Sequence, residues 1–510
     1  MRRRNVLLGA AALTGFALTP LQSCRRSTSH PQFADYPFSL GVASGEPRPH
    51  SVVLWTRLAP NPLEPVSVPS VDIPVRWQMA ADERMSQVVA KGEAIASPQF
   101  AHSVHVLAEG LEPQRWYWYQ FKVGNELSPI GRTRTAPAAN AAVERLAFAF
   151  ANCQNWQAGY YPAHRHLAQE DLDFVVFLGD YIYEGGPQGD APRQHNGSEC
   201  VSLADYRRRY ALYKSDPDLQ AAHAAFPWIV TWDDHEVDSN YANFHPEDQQ
   251  SRQEFLRRRA NAYQAYYEHM PLRPVSDSFA ELRLYRRFSF GNLAQLNVLD
   301  TRQYRTDQPC GDGPKPRCPE AFAPTATMMG AEQERWLMQG IAESPAQWNA
   351  IAQQTMMAQF AFEILSGESA FNLDQWDGYV AERDRLLKFF AQQPARPIVI
   401  TGDIHSSWVN QLKADFNNPR SAIVATEFVS PSVSSLFPAE YVPIVRAFLE
   451  NNSHIKFFDG GFHGYVRAHL DRQRWQSDYR VVTSILDPDA AMQTLVSFVV
   501  EDGQPEVQQL

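Results

Sequence analysis

The chain has 510 residues, a length that suggests two or three domains, and 44 % of it is hydrophobic, with twelve Trp and 29 Phe to fill cores. That composition excludes a disordered or low-complexity protein, and no internal apolar run is long enough to cross a membrane. The net charge of −11 argues against a stable nucleic-acid partner, because an acidic body repels polyanions at long range.

Residues 1–30 stand apart. MRRRNVLLGAAALTGFALTPLQSC has a basic start, an apolar middle and a small-residue end, the layout of an export signal. Arg3, Arg4 and the following Asn-Val-Leu fit the twin-arginine type, with plain secretion as the alternative. The expectation is a periplasmic or secreted protein that meets the twin-arginine translocase during export. Leu21-Gln22-Ser23-Cys24 loosely resembles a lipoprotein cleavage site, so lipid anchoring at Cys24 is a minor option.

Residues 37–137 read as β structure. SVVLWTRL, VRWQMAA, HSVHVLAEG and RWYWYQFKVG are short alternating runs between turn signals, which predicts a small sandwich domain. TAPAANAAVE follows as a linker without a large apolar anchor. From residue 145 to 510 the texture is α/β. The strand-like runs are RLAFAFANC, LDFVVFLGD, FPWIVTWDD, LAQLNVLDT, WNAIAQQT and RPIVITGDIH. SLADYRRRYALYKS, SRQEFLRRRANAYQAYYEHM and GAEQERWLMQGIAES read as helices between them. The fold class expected is a layered α/β domain preceded by the sandwich.

Four of those strands end in groups able to bind metals. One stops at Cys153, a second at Asp180 and Tyr183, a third at Asp233, Asp234, His235 and Glu236, and a fourth at Asp403 and His405. Ligands bind beyond the carboxyl ends of strands in open α/β sheets, so these endings predict one shared site. Thiolate and phenolate suit trivalent iron, and a bound cation is what holds a phenol deprotonated. Asp234 and Asp403 offer hard oxygens that suit Ca²⁺, Mg²⁺ or Mn²⁺. Asp180 has two carboxylate oxygens and is able to bridge two ions.

ANCQNW, FLGDYIYE, TWDDHEVDSNYAN, LDTRQYR and TGDIHSSW, in this order, resemble the motif series of PhoD-type alkaline phosphatases. FSLGVASGEPRPHSVVLWTRL resembles their N-terminal domain, and ATEFVSPSVSS with FHGYVR their C-terminal part. The resemblance implies a metallophosphoesterase core related to purple acid phosphatases, spanning 145–510, with Fe³⁺ and one or two Ca²⁺. It places Cys153, Tyr183 and His405 on iron, Asp403 on calcium and Asp180 as the bridge. Asp234 stands where the wider superfamily has an asparagine. No clear counterpart of that superfamily's further histidine motif is present, which leaves the second calcium open.

The function implied is hydrolysis of phosphate monoesters, with diesters as a second class, by a metal-activated hydroxide or oxide attacking phosphorus. Arg302, in VLDTRQYR, is read as a catalytic clamp on substrate oxygens, since its planar fork matches a phosphate. His235 is a second catalytic candidate, with a structural pairing to Asp234 as its plainer reading. His463, in a Gly-rich run, is a weaker candidate for touching substrate; His164 and His166 are read as structural. Ser406 and Ser407 lack a G-x-S-x-G elbow, which disfavours a covalent serine route. Cys310 and Cys318 flank PCGDGPKPRCP and are expected to form a disulfide outside the cytoplasm. Cys200 is left open, and the chain is expected to act as a monomer. The rival readings are a nuclease- or phospholipase-like diesterase on the same metals and a silent surface-binding protein.

Overall fold

The structure is a computed structural model that describes residues 33–510 apart from 65–67, 275–277, 365 and 394–396. The export-signal and Cys24 expectations fall outside the described residues. Among those described, no helix is long and apolar enough to cross a membrane.

Two large sheets form the centre. One has ten strands and runs from the C-terminal strands through Arg145–Ala151, Phe174–Phe177 and Pro227–Val230 to Val42–Arg48, Ser51–Arg57 and Ser103–Glu109. The other has seven and includes Ala294–Val298, Trp348–Ala352, Ile398–Thr401 and Ile423–Val429. All six strand-like runs named for the α/β part are strands, and the three helical runs are helices, at Leu203–Lys214, Arg252–His269 and Gly330–Ala342.

Side-chain alternation explains the layering. Along Phe174–Phe177, Phe174 and Val176 enter the core between the two sheets, whereas Val175 and Phe177 face the helical layer outside. Ile398 and Ile400 likewise enter the inter-sheet core while Val399 faces the opposite helical layer with Leu386, Leu387 and Phe390. Strands buried on both faces must be apolar on both, and that is why these runs show no polar alternation. The result is helix, sheet, sheet, helix.

The N-terminal part is a sandwich, but not one closed off from the rest. Its inner sheet is Ile73–Ala80, Val88–Ala96 and Trp116–Val123 with two short partners. Its other face is formed by Val42–Arg48, Ser51–Arg57 and Ser103–Glu109, which are the edge of the ten-stranded sheet. Val42–Arg48 pairs in parallel with Pro227–Val230, with Ser44 opposite Pro227. The stretch read as an unanchored linker is also pinned. Val143 and Ala136 are buried in the inter-sheet core, and the Ala136 amide donates to the Arg48 carbonyl. Cys310 and Cys318 are disulfide-bonded, and Cys200 is a buried free thiol.

Candidate metal centre

Arg145–Ala151, Phe174–Phe177 and Pro227–Val230 are parallel neighbours, so their C-terminal ends share one edge. Ile398–Thr401 of the facing sheet delivers its own loop to the same place, as the contact between Cys153 and the Asp403 carbonyl shows. The backbone is unusual there. Cys153, Asp180, Asp403 and His405 all have left-handed φ, at 54°, 55°, 64° and 54°. Non-glycine residues avoid that region at a cost of about 1–3 kcal/mol each, so surrounding structure has to hold them.

Glu236 supplies much of that hold. Its buried carboxylate accepts hydrogen bonds from the amides of Asp180 (3.0 Å), Tyr181 (2.6 Å) and Asp233 (2.8 Å), tying two of the loops together. Burial, followed by repulsion from Asp180, pushes Glu236 up to about 8, against the three amide hydrogen bonds. Gly179 sits where these loops touch. Its φ is 114°, and an added Cβ would lie 2.5 Å from Asp233 Cβ.

Sulfur, phenol, imidazole and carboxylate meet at Asp180. Cys153 Sγ lies 3.3 Å from Asp180 Oδ2, and the Tyr183 hydroxyl is 2.9 Å from the same oxygen. That hydroxyl is also 3.0 Å from His405 Nε2 and 2.6 Å from Ser435 Oγ. Burial, then the charge of Asp180, raises both the Cys153 thiol and the Tyr183 phenol well above their ordinary values. Anionic sulfur and phenolate in this surrounding therefore require a cation beside them.

Carboxylates wrapped around a guanidinium make up the other half. Arg302 is 0 % exposed. Its Nε donates to Asp233 Oδ1 at 2.5 Å, its Nη1 to Asp374 Oδ1 at 2.9 Å and its Nη2 to Asp403 Oδ1 at 3.2 Å. Nη2 also lies 3.5 Å from Asp234 Oδ1. This corrects the reading of Arg302 as a substrate clamp: the fork is saturated by protein carboxylates and is not on the cavity wall. Arg305 joins it by pairing with Asp374 at 2.6 Å. The sequence reading missed Asp374. Its signal was faint, since it follows Ser369–Asn372, a short strand outside both large sheets. Gln375, also missed, donates to Asp403 Oδ2 at 2.5 Å.

The charges do not balance within the protein. Asp233, Asp234 and Asp374, all buried, and the partly buried Asp403 surround Arg302 and Arg305, with buried Asp180 beside them. Burial drives Asp233 well above the carboxylate range and Asp403 up to about 6, with Arg302 opposing in each case. Asp180 Oδ1 and Asp233 Oδ2 are buried without a hydrogen-bond partner, and Asp234 Oδ1 has only the longer ion pair. Orphaned carboxylate oxygens are costly to bury unless a cation meets them. Three donor groups have their atoms mutually within 4.8 Å: Cys153–Asp180–His405, Asp180–Asp234–His235 and Asp233–Asp234–Asp403. Asp180 is common to the first two and Asp234 to the last two. The residues present thus fit a chain of neighbouring cations, with a soft-donor end and a hard-oxygen end.

A cavity of about 410 Å³ opens over this floor, and Asp180, Asp234, His235, Asp403 and His405 all reach it. His235 Nδ1 lies 2.8 Å from Glu184 Oε2, and its ring packs on Tyr183 at 4.2 Å between centroids. Burial disfavours the imidazolium, but Glu184, Asp234 and Asp180 together outweigh it and raise His235 well above the ordinary histidine value. His463 is not on the cavity wall; it begins the strand His463–Asp471, and burial followed by repulsion from His405 lowers it to about 4. His164 is buried with Nε2 2.7 Å from Gln154 Oε1, and His166 Nε2 is 2.9 Å from the Ala490 carbonyl.

Residues 148–479 match the PhoD-like phosphatase family, and residues 23–137 match the N-terminal domain of PhoD-like phosphatases. The chain belongs to the PhoD-like phosphatase family. It is 48 % identical to alkaline phosphatase D of Bacillus subtilis (strain 168) over 515 residues, covering 98 % of this chain and 88 % of that protein. The solved structure of PhoD superposes with a TM-score of 0.90 at 48 % identity, covering 94 % of this chain and 93 % of the other. A purple acid phosphatase from yellow lupin (Lupinus luteus) seeds shares the fold at 12 % identity, with a TM-score of 0.59 over 92 % of this chain and 75 % of that one. As a PhoD-like phosphatase the chain is a hydrolase, on a fold shared with a purple acid phosphatase.

Proposed function

We propose that this protein is an exported alkaline phosphatase that releases phosphate from monoesters, and from diesters as a second class, at a centre of Fe³⁺ and one or two Ca²⁺. The observation that carries this reading is the sharing of Asp180 between a thiol–phenol–imidazole group and a carboxylate group. Cys153, Tyr183 and His405 would hold iron, Asp234 and Asp403 calcium, and Asp180 would join them. When bound, such cations polarise phosphoryl oxygens and lower the pKa of water.

The chain's own residues supply the rest. Glu236 holds Asp180 and Asp233 in place through their amides. Arg302 gathers Asp233, Asp234, Asp374 and Asp403 into one face, so it acts as a positioning residue. His235, oriented by Glu184 at Nδ1 and reaching the cavity, is placed to hold a proton near the leaving oxygen at its other nitrogen. Twin-arginine export to the periplasm or beyond, and action as a monomer without nucleic acid, complete the reading.

The test is turnover of p-nitrophenyl phosphate and of its bis ester by protein purified from its own export route, with elemental analysis of the same sample. Monoester turnover, iron with calcium, and a visible tyrosinate–iron absorption are expected, all lost in Asp180→Ala. Metal-replete protein that turns over neither ester would remove the phosphatase reading. Colourless, iron-free but active protein would remove only the iron assignment.

A further inference from the structure

The floor and the wall of the cavity differ in chemistry. The floor is carboxylate and imidazole, whereas the wall is built from Phe360, Phe362, Trp408, Phe437, Tyr441 and Ile444. These rings support one another: Phe360 stacks on Phe362 at 5.9 Å and meets Trp408 edge-on at 5.3 Å, and Phe437 meets Phe458 at 5.8 Å. Among the described residues, no Lys or Arg lines the cavity. Phe362 and Ile444 are also the start of an open, mainly apolar groove completed by Ile364, Pro443, Ala447 and Phe448, with Glu363 and Ser366 as its two polar lining residues. Among the described residues it too contains no Lys or Arg.

The groove follows the helix Tyr441–Phe448, whose eight residues span about 12 Å. Val445 points into the protein, while Tyr441 and Ile444 stay 45 % and 40 % exposed beside Leu436 at 59 %. Large apolar side chains left open around one cavity mouth mark a binding surface. A second phosphate, as in a nucleotide or polyphosphate, would meet no Lys or Arg among the described residues of this wall and groove.

We propose that the leaving group accepted by this centre is a medium-length alkyl chain, which lies along the Phe362–Ile444 wall and continues into the groove under Tyr441–Phe448. The inference rests on the phosphatase reading and adds the substrate class. Continuity between floor, wall and groove is what assigns the occupant: an ester oxygen over Asp180 and Asp403 directs its substituent along an apolar track.

The experiment measures kcat/KM of the metal-loaded protein for ethyl, butyl, hexyl and octyl phosphate, all kept below micelle formation. The expected rise is about two- to fourfold per added methylene, levelling when the groove is full. Ile444→Ser, at an exposed position that does not threaten folding, should flatten that slope, and Phe362→Ser should do so more strongly. Calorimetry with ethylphosphonate and octylphosphonate gives a readout independent of turnover: octylphosphonate should bind tighter, with a more negative heat-capacity change. A flat series with ethyl phosphate still hydrolysed overturns the alkyl assignment and leaves the phosphatase reading intact. Phenylphosphonate binding tighter than octylphosphonate would also overturn it, by making the wall an aryl site. Failure to hydrolyse any ester removes both.

Discussion

Arg145–Ala151 and Phe174–Phe177 have two ends, and each end opens on a cavity. At their starts lies one of about 320 Å³, lined among others by Arg134, Arg145, Asp173 and His469. At their finishes lies the one of about 410 Å³ over the donor cluster. Both contain charged groups, yet they differ in what those groups lack. At the first, Asp173 pairs with Arg134 and accepts the Ala147 amide at 2.9 Å. At the second, Asp180 and the neighbouring Asp233 keep buried oxygens without partners, and Asp180 itself lies on left-handed backbone at φ 55°. Charge in a cavity is therefore a weak indicator of a site. Unmet charge held by strained backbone is a strong one.

The sharpest way to break this contrast is Asp180→Ala. Loss of the proposed shared ligand should exceed the about 10–100-fold typical of outer-shell residues; steady-state rates and metal content check it. Next is Arg302→Met, which leaves three buried aspartates and the partly buried Asp403 without their guanidinium and should cost about 3–5 kcal/mol of stability by denaturant unfolding. A wild-type unfolding curve for that variant would show that the carboxylates never depended on it. Glu236→Ala removes the acceptor of three amides, and a loss of activity of about 10–100-fold is expected with a larger effect on kcat than on KM.

Lys214 tests a buried charge outside the donor cluster. Its ammonium lies 4.2 Å from the Trp55 ring centroid, and burial lowers it from 10.5 to about 7. The folded state therefore binds fewer protons than the unfolded one between those values. Stability should rise with pH across that window at up to about 1.4 kcal/mol per pH unit from this group, and stay at its lower level below pH about 7. Lys214→Met should be more stable than wild type at neutral pH and lose that slope; unfolding midpoints near pH ~7 and pH ~9.5 decide it. The smallest effect belongs to the quiet end. Arg134→Met breaks a partly exposed pair and should change stability by about 1 kcal/mol or less with phosphatase activity retained. A large loss of activity there would mean that the two cavities are coupled.

Some of this architecture was readable from residue order alone. Each core strand is a continuous apolar run ended by Cys153, Asp180, Asp234 or Asp403, and a run buried on both faces has that pattern whatever surrounds it. The ordered motifs carried the family as well. Other features depended on packing between segments distant in the chain. Asp374 carries no local mark because its strand is short and its partners, Arg302 and Arg305, are about 70 positions away. Arg302 looks like a phosphate clamp until four aspartates are seen to occupy it. The N-terminal sandwich reads as separate until Ser44 is found opposite Pro227. Periodicity and side-chain chemistry are local properties, so sequence determined the strands, the donors and the kind of centre they make. Which donors lie together, which charge is already neutralised and which wall is apolar are properties of distance, and only the folded chain sets distances.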